Sequence, residues 1–352
     1  MLKLFVYDRL PNQADSKLLK LFLTENEYEG NIFQKIASAP FKKMVEIVST
    51  VEESHYILMP NDYSYLGQQE NYLNELDSFA ELHKKKIIVL NYGDLVDKVQ
   101  LKSVIVLRTA SYKRTLSSNE IIIPPFIEDI GSDYGTTSRH KDGTPPVVGF
   151  AGMVALPTRV KEIKYQIKKL IFRFKVLLGT KRREEAQGLY FRRSITKALD
   201  KTDKCKTNFV IRNSFSALEK TLSKAPDVLR KEYIDVLQNS DLGLVIRGDG
   251  NFSLRFFEVL SMGRIPLFIN TDTPLPLEDE IDYDSFMLRV DHSDLRRLPA
   301  IIEKFWNDLS DEQFIEMQKK ARTVFETKLR TDVFYKNLFD TLERKVKVEI
   351  TQ

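Results

Sequence analysis

Short runs rich in β-branched and aromatic residues alternate with helical patterns along the 352-residue chain, and this alternation restricts the fold more than any other feature. Expected strands are Leu2 to Tyr7, His55 to Met59, Lys86 to Asn91, Ser103 to Leu107 and Glu120 to Ile123. Between them, segments such as Ser16 to Leu23 and Tyr72 to Leu82 place apolar residues at helical spacing. Strands separated by helices imply parallel sheets covered on both faces. The expected class is α/β.

From Gly131 to Pro146 the sequence turns polar and rich in Gly, Ser, Thr and Pro, as expected of an interdomain linker. A fresh strand follows at Val147 to Gly152, and the alternation resumes with strands near Asn208 to Ile211, Leu242 to Ile246 and Ile265 to Ile269. From about Asp311 to near Arg344 the pattern is helical. The division is therefore a first Rossmann-like domain over 1–135, a second over 146–325, and a helix and tail over 326–352, with its return to the first domain left open. Two such domains suggest a cleft between them, where small ligands usually bind.

Composition narrows the function classes. Charged residues make up 30% and apolar residues 42% of the chain, the balance of a soluble globular protein. The net charge of +4 is small for this length and its basic residues are mostly interleaved with acidic ones, so nucleic acid is not an expected partner. One cysteine, Cys205, excludes an intrachain disulfide framework and the usual four-ligand zinc site, and it favours a reducing compartment. Neither a signal peptide nor an apolar run of about 18 residues is visible, so the expectation is a cytoplasmic chain, with the membrane surface as the other option.

The chemistry concentrates in the run from Asp241 to Pro266. A buried strand leads into the loop Arg247-Gly248-Asp249-Gly250, then into a helix whose expected cap is Ser253 and which stops at Gly263. Amide groups at a helix start, with the positive end of its dipole, form an anion site. Arg247 and Arg255 flank it and suit a diphosphate. Glu258, three residues beyond Arg255, suits the two hydroxyls of a ribose. The plainer reading is a surface pair of Arg255 with Glu258 on an ordinary helix.

The run from Arg247-Gly248 through Ser253, Arg255 and Glu258 to Gly263, Ile265 and Pro266 resembles the donor-binding signature of exostosin-family glycosyltransferases. The likeness continues through Leu275-Pro276-Leu277-Glu278-Asp279 and Ile281 to Phe286, with weaker echoes at Val6-Tyr7-Asp8, Ile123-Pro124-Pro125 and Phe150-Ala151-Gly152. The resemblance implies a GT-B fold, two Rossmann-like domains facing a central cleft, with acceptor bound by the first and a UDP-sugar by the second. It implies an inverting glycosyltransferase acting on a glycan, polysaccharide or glycoconjugate. The alternative is a catalytically silent subunit that binds glycan or supports a partner enzyme. On this resemblance Glu258 holds the ribose, Ser253 and Arg255 hold the diphosphate with Gly248 beside them, and Arg247 stabilises the departing UDP. No stretch like the family's membrane anchor is read in these residues, and the cysteine often found before the Arg-Gly pair is replaced by Leu244-Val245-Ile246, so the expectation is a cytosolic relative.

An inverting transfer needs a general base. Asp94 and Asp62, each following an expected strand, rank above Asp8, although all three suit loop caps equally well. Tyr63 and Tyr65 beside Asp62 suit stacking on acceptor sugars or simple packing. Asp282-Tyr283-Asp284 matches the Asp-x-Asp metal pattern of another glycosyltransferase fold, but here it falls in an acidic-aromatic turn. No metal or other cofactor is expected. His55, His83, His140 and His292 lack ligand spacing, and Cys205 reads as buried and inert.

From Arg159 to Arg183 basic residues dominate, with Glu162 the only acid. Ile163, Ile167, Leu170, Ile171, Phe174, Leu177 and Leu178 follow helical spacing. The ordinary expectation is a domain helix packing its apolar face on the sheet. The alternative is a membrane-surface patch over 159–183 that brings the enzyme to anionic lipid and a lipid-linked saccharide acceptor.

Overall fold

In a computed structural model of the chain, residues 1–11, 13–23, 41–66, 69–213 and 225–351 are described. They fall into two compact units. Unit 1 comprises Met1–Glu128, Thr273–Leu277 and Glu326–Gln352, and unit 2 comprises Asp129–Asp272 and Glu278–Phe325. Each is built on one parallel sheet.

The six strands of unit 1 are β1 (Leu2–Val6), β2 (Val45–Val48), β3 (Tyr56–Leu58), β4 (Ile87–Asn91), β5 (Val104–Arg108) and β6 (Glu120–Ile122), in the order β2-β1-β3-β4-β5-β6. Every pairing is parallel. The period of two along the strands separates two cores, one on each face. Leu58, Ile88, Leu90 and Leu107 pack with α1 (Lys17–Leu23) and with Phe334, Tyr335 and Phe339 of the last helix, Thr331–Thr351. Ile57, Met59, Ile87, Val89 and Val106 pack on the other face with Leu73, Leu76 and Ala80 of α2 (Glu70–Leu82). Strand β2 escapes the sequence reading because its Val-Glu-Ile-Val run has two exposed middle positions.

A buried ion pair fixes the loop after β4. The Arg108 guanidinium donates to Glu120 at 2.5 Å, to the carbonyls of Leu95 and Asp97 at 2.9 and 3.2 Å, and to Ala110 at 2.8 Å. Both charged side chains are almost fully buried, so each needs the other to offset its desolvation.

The five strands of unit 2 are β7 (Val147–Met153), β8 (Lys206–Arg212), β9 (Leu242–Val245), β10 (Ile265–Asn270) and β11 (Leu288–Asp291), in the order β11-β10-β9-β7-β8 and again all parallel. The helices of this unit are α3 (Ile130–Tyr134), α4 (Arg159–Leu177), α5 (Gly188–Leu199), α6 (Pro226–Gln238), α7 (Leu254–Ser261), α8 (Leu298–Asp308) and α9 (Asp311–Val324). Val148, Leu244, Leu267 and Val290 meet α5, α8 and α9 through Ile195, Leu199, Leu298, Ile302 and Phe314. On the opposite face α6 and α7 press close, with Val236 and Val259 beside the glycines of β7 and β9.

The polar stretch before β7 is not a free linker. Arg139 donates to Asp241 at 2.6 Å and Lys141 donates to the carbonyl of Trp306 at 2.6 Å, while α3 lies within the stretch. Those partners are about a hundred residues or more away in sequence, which local composition does not reveal.

A second difference concerns α4. The helix forms with Thr158 as its cap, accepting from the Lys161 amide at 3.2 Å. Yet Tyr165 is its one buried residue, and its apolar stripe faces away from the sheet. The expectation of a stripe packed inward is overturned: the helix docks instead through Tyr165, partly buried Phe172 and Glu162, which Arg193 grips with two bonds of 2.7 Å.

Candidate functional site

The sheet order of unit 2 defines where a ligand fits. From β7 the chain goes first to β8 on one side and then to β9 on the other. At such a switch point the loops leaving the carboxyl ends of the two strands diverge, and the backbone leaves a crevice there. Gly152 and Met153 stand at that end of β7, and Ile246, Arg247 and Gly248 follow that end of β9.

The loop after β9 is tied down from several directions. Gly248 donates its amide to the carbonyl of Phe252 at 3.1 Å, closing the turn. Fully buried Asn251 donates to the carbonyls of Thr271 and Asp272 at 3.0 and 3.3 Å. Arg247 donates to the carbonyls of Glu184 and Asp249 at 2.9 and 2.7 Å. Gly188, the first residue of α5, completes the hold: a Cβ there would sit 2.3 Å from the Gly248 carbonyl oxygen and 2.4 Å from that of Arg247. Only glycine lets the start of α5 approach so near.

Helix α7 begins directly after this loop. Ser253 occupies its N-cap position with extended backbone, but its side chain makes no capping hydrogen bond, so the capping role expected of it is not found. Leu254, Phe256 and Phe257 open a strongly amphipathic turn, with both phenylalanines buried and Leu254 exposed. That burial fixes the helix and points Arg255 toward β7.

Arg255 is the centre of the site. Its guanidinium donates to the Ala151 carbonyl and lies over the Phe150 ring, 4.6 Å from the centroid. It fills the space a side chain on Gly152 would take, since a Cβ there would be 2.4 Å from its Nη2. Two further arginines gather around it. Burial first, and then the charge of Arg255, pulls Arg192 down to about 10. Burial first, and then the charge of Arg255, also lower Arg212, against the pull of Glu232 3.5 Å away. Among the described residues, the Nε groups of Arg192, Arg212 and Arg255 are buried without a hydrogen-bond partner. Buried, unpartnered donors on neighbouring arginines are the arrangement that an anion with several oxygens satisfies.

Glu258 stands next in the constellation, but not as the partner of Arg255. It accepts from the Tyr233 hydroxyl at 2.6 Å and lies 3.7 Å from Arg230. The Tyr233 ring in turn is 5.9 Å from the Arg255 guanidinium, so the tyrosine bridges the two. Burial, followed by the Glu258 charge, raises the Tyr233 pKa strongly and keeps its proton available to the carboxylate. The structure thus gathers Arg255, Glu258 and the Arg247-Gly248 loop around one helix start. Arg192, Arg212 and Tyr233 went unnoticed in the sequence, because no local spacing connects residues on α5, β8 and α6.

The Asp-x-Asp run forms a tight turn. Buried Tyr283 packs on Phe256 at 5.7 Å, while exposed Asp284 pairs with Arg289 at 2.8 Å. Cys205 is buried and its thiol is pushed up to about 11, far from a nucleophilic thiolate.

In unit 1, Asp62 follows the carboxyl end of β3, beside that unit's own switch point between β1 and β3. It is 5% exposed and accepts from the Ser64 amide and hydroxyl at 3.0 and 2.7 Å and from the Tyr92 amide at 3.2 Å. Burial raises its pKa against the pull of those bonds. Asp94 and Asp8 are exposed. Tyr63 accepts from the Gln100 amide through its hydroxyl at 3.1 Å, whereas Tyr65 is 73% exposed.

Comparison with known proteins finds exostosin matches. Residues 154–305 match the Exostosin GT47 domain. The Exostosin-1 homolog of Caenorhabditis elegans is 30% identical over 125 residues, covering 34% of this chain and 32% of that protein. Exostosin-1 of Drosophila melanogaster is 29% identical over 117 residues, covering 33% of this chain and 14% of that protein. The match therefore spans about a third of the first relative and about a seventh of the second. A solved structure of TarM is similar at a TM-score of 0.41 and 12% identity, covering 90% of this chain and 59% of that chain. The exostosin resemblance read from the motif is found again, and the segment from Arg247 to Phe286 lies inside the matched domain.

Gly152→Ala tests the arginine placement. The added methyl meets the far end of a flexible side chain, so the fold absorbs it, but the guanidinium must move. The expected outcome is a melting temperature within about 2–4 °C of wild type, about 1 kcal/mol for a domain of this size. Affinity for pyrophosphate, read by calorimetry, falls about tenfold or more as a charge-assisted contact is lost.

Proposed function

We propose that the chain is a glycosyltransferase that takes a sugar from a UDP-sugar held by unit 2 and passes it, with inversion, to a glycan, polysaccharide or glycoconjugate. One observation carries this reading: three arginines whose Nε groups are buried without a hydrogen-bond partner gather near the carboxyl end of β7, beside a carboxylate one helical turn away. The cations suit a diphosphate, and Glu258 retains acceptor capacity for ribose hydroxyls. The match of residues 154–305 to the Exostosin GT47 domain supports the same assignment.

In this reading Arg255 holds the diphosphate, with the Gly248 loop and Ser253 at the helix start beside it. Arg247 is fixed by two carbonyls, so its charge stays in place as the bond to the sugar lengthens and negative charge grows on the departing UDP. Charge that needs no rearrangement favours the transition state over the bound ground state. Arginines meet the leaving group's charge, and the proposal calls for no metal. The base that takes the acceptor proton is Asp62 rather than exposed Asp94. Burial brings its pKa up toward the working range of a general base.

Calorimetry with UDP tests the donor site. Wild type binds, and Glu258→Ala weakens binding by about 1–3 kcal/mol, the usual cost of losing a charged hydrogen-bond partner. No binding at millimolar UDP would indicate a silent subunit, and unchanged affinity in the variant removes Glu258 from the ribose role.

Asp62→Asn tests the base. The folded pKa of Asp62 is raised, so the ionised carboxylate costs the fold stability, increasingly as pH rises through that pKa. Asparagine keeps an acceptor for Ser64 and Tyr92 without the charge. At pH about 7.5 the variant is therefore at least as stable as wild type, while kcat falls by about 10²-fold or more, the usual share of a general base. Undiminished turnover would move the role elsewhere.

A further inference from the structure

The outward stripe of α4 is a feature that the proposed reaction leaves unused. Eight apolar side chains, at positions 160, 163, 167, 170, 171, 174, 177 and 178, are each at least half exposed along a helix about 28 Å long. Leu177 is 80% exposed, Leu170 68% and Phe174 60%. Scattered exposed leucines need no explanation, but a contiguous stripe does.

At 100° per residue these positions occupy one face about 120° wide. The opposite face, with Glu162, Tyr165, Lys169, Phe172 and Val176, is the one turned toward the unit's own core. The helix is thus docked by its back, and its greasy front is presented to the surroundings.

Charge decides among the occupants. Between Arg159 and Arg183 the chain carries ten basic residues and one acid. That acid, Glu162, is taken up by Arg193, whose hydrogen bonds hold its pKa down to about 2. Basic residues flank the stripe on both sides: Lys164, Lys168 and Lys175 on one edge, Arg159 and Arg173 on the other. Beside them, Lys168, Lys169, Lys175 and Lys181 line a cavity of about 250 Å³ with Tyr165 and Tyr190. A second copy of this face would bring like charges together, which costs energy at contact. A surface with an apolar interior and negative headgroups matches both properties. Long basic side chains beside an apolar stripe reach outward to such headgroups while the stripe sinks between the chains.

We propose that α4 is a membrane-surface helix, lying in the plane of an anionic bilayer with Phe174, Leu177 and Leu170 inserted and the lysines on phosphate headgroups. The inference stands independently of the transferase reading. It would hold the chain to the surface without crossing it, and no described helix is long and apolar enough to span a bilayer.

Sedimentation of the full chain with vesicles tests it. Vesicles of phosphatidylcholine with about one-third phosphatidylglycerol pellet the protein, vesicles of phosphatidylcholine alone do so weakly, and raised salt reduces the difference. Lys168→Ala with Lys175→Ala lowers the partition coefficient by about an order of magnitude or more. Phe174→Ser with Leu177→Ser lowers it at least as far. Both residues are exposed, so thermal melting followed by circular dichroism stays at the wild-type temperature and separates lost binding from lost folding. Equal pelleting on neutral and anionic vesicles overturns the proposal, as does wild-type pelleting by either double variant. A lipid-free dimer that the Phe174/Leu177 variant dissolves overturns it in favour of a second copy.

Discussion

The guanidinium of Arg255 occupies the space that any other residue at position 152 would claim, and it does so beside the point in its sheet where the strand order reverses. Its hydrogen bond to the Ala151 carbonyl and its seat over Phe150 couple α7 to the end of β7. Much else follows from that placement. Arg192 and Arg212 both register its charge, Tyr233 stands between it and Glu258, and three Nε donors remain buried without partners among the described residues. Burying positive charge in this way costs the fold stability.

The surrounding fold supplies the rigidity such a site requires. The loop from Arg247 to Ser253 is held by buried Asn251, by the Arg247 guanidinium and by the close approach of α5 at Gly188. In unit 1 the same strategy recurs on a carboxylate. Asp62 is anchored by the Ser64 and Tyr92 amides, and burial keeps its pKa above that of an ordinary aspartate. Burial sets Asp62 apart from exposed Asp94.

What was legible in the sequence was local. Strand-helix alternation revealed two α/β sheets, and the spacing of Arg247, Ser253, Arg255 and Glu258 marked one helix start. What was illegible depended on contacts distant along the chain. Arg192 and Arg212 sit on α5 and β8, and nothing in their neighbourhood signals the arginine they face. The anchoring of Arg139 by Asp241 turned an apparent linker into part of unit 2. In α4 the period showed that a stripe exists, but periodicity carries no information about which way a stripe points. Ser253 sat where a cap belongs, yet position alone did not make its side chain one.

Hydrogen exchange of the full chain, with and without millimolar UDP, bears most directly on the arginine site. The account predicts slower amide exchange at the end of β7, around Gly152 to Val154, together with the loop and helix start from Arg247 to Phe256. Saturating UDP that leaves both segments exchanging as they do in its absence contradicts it.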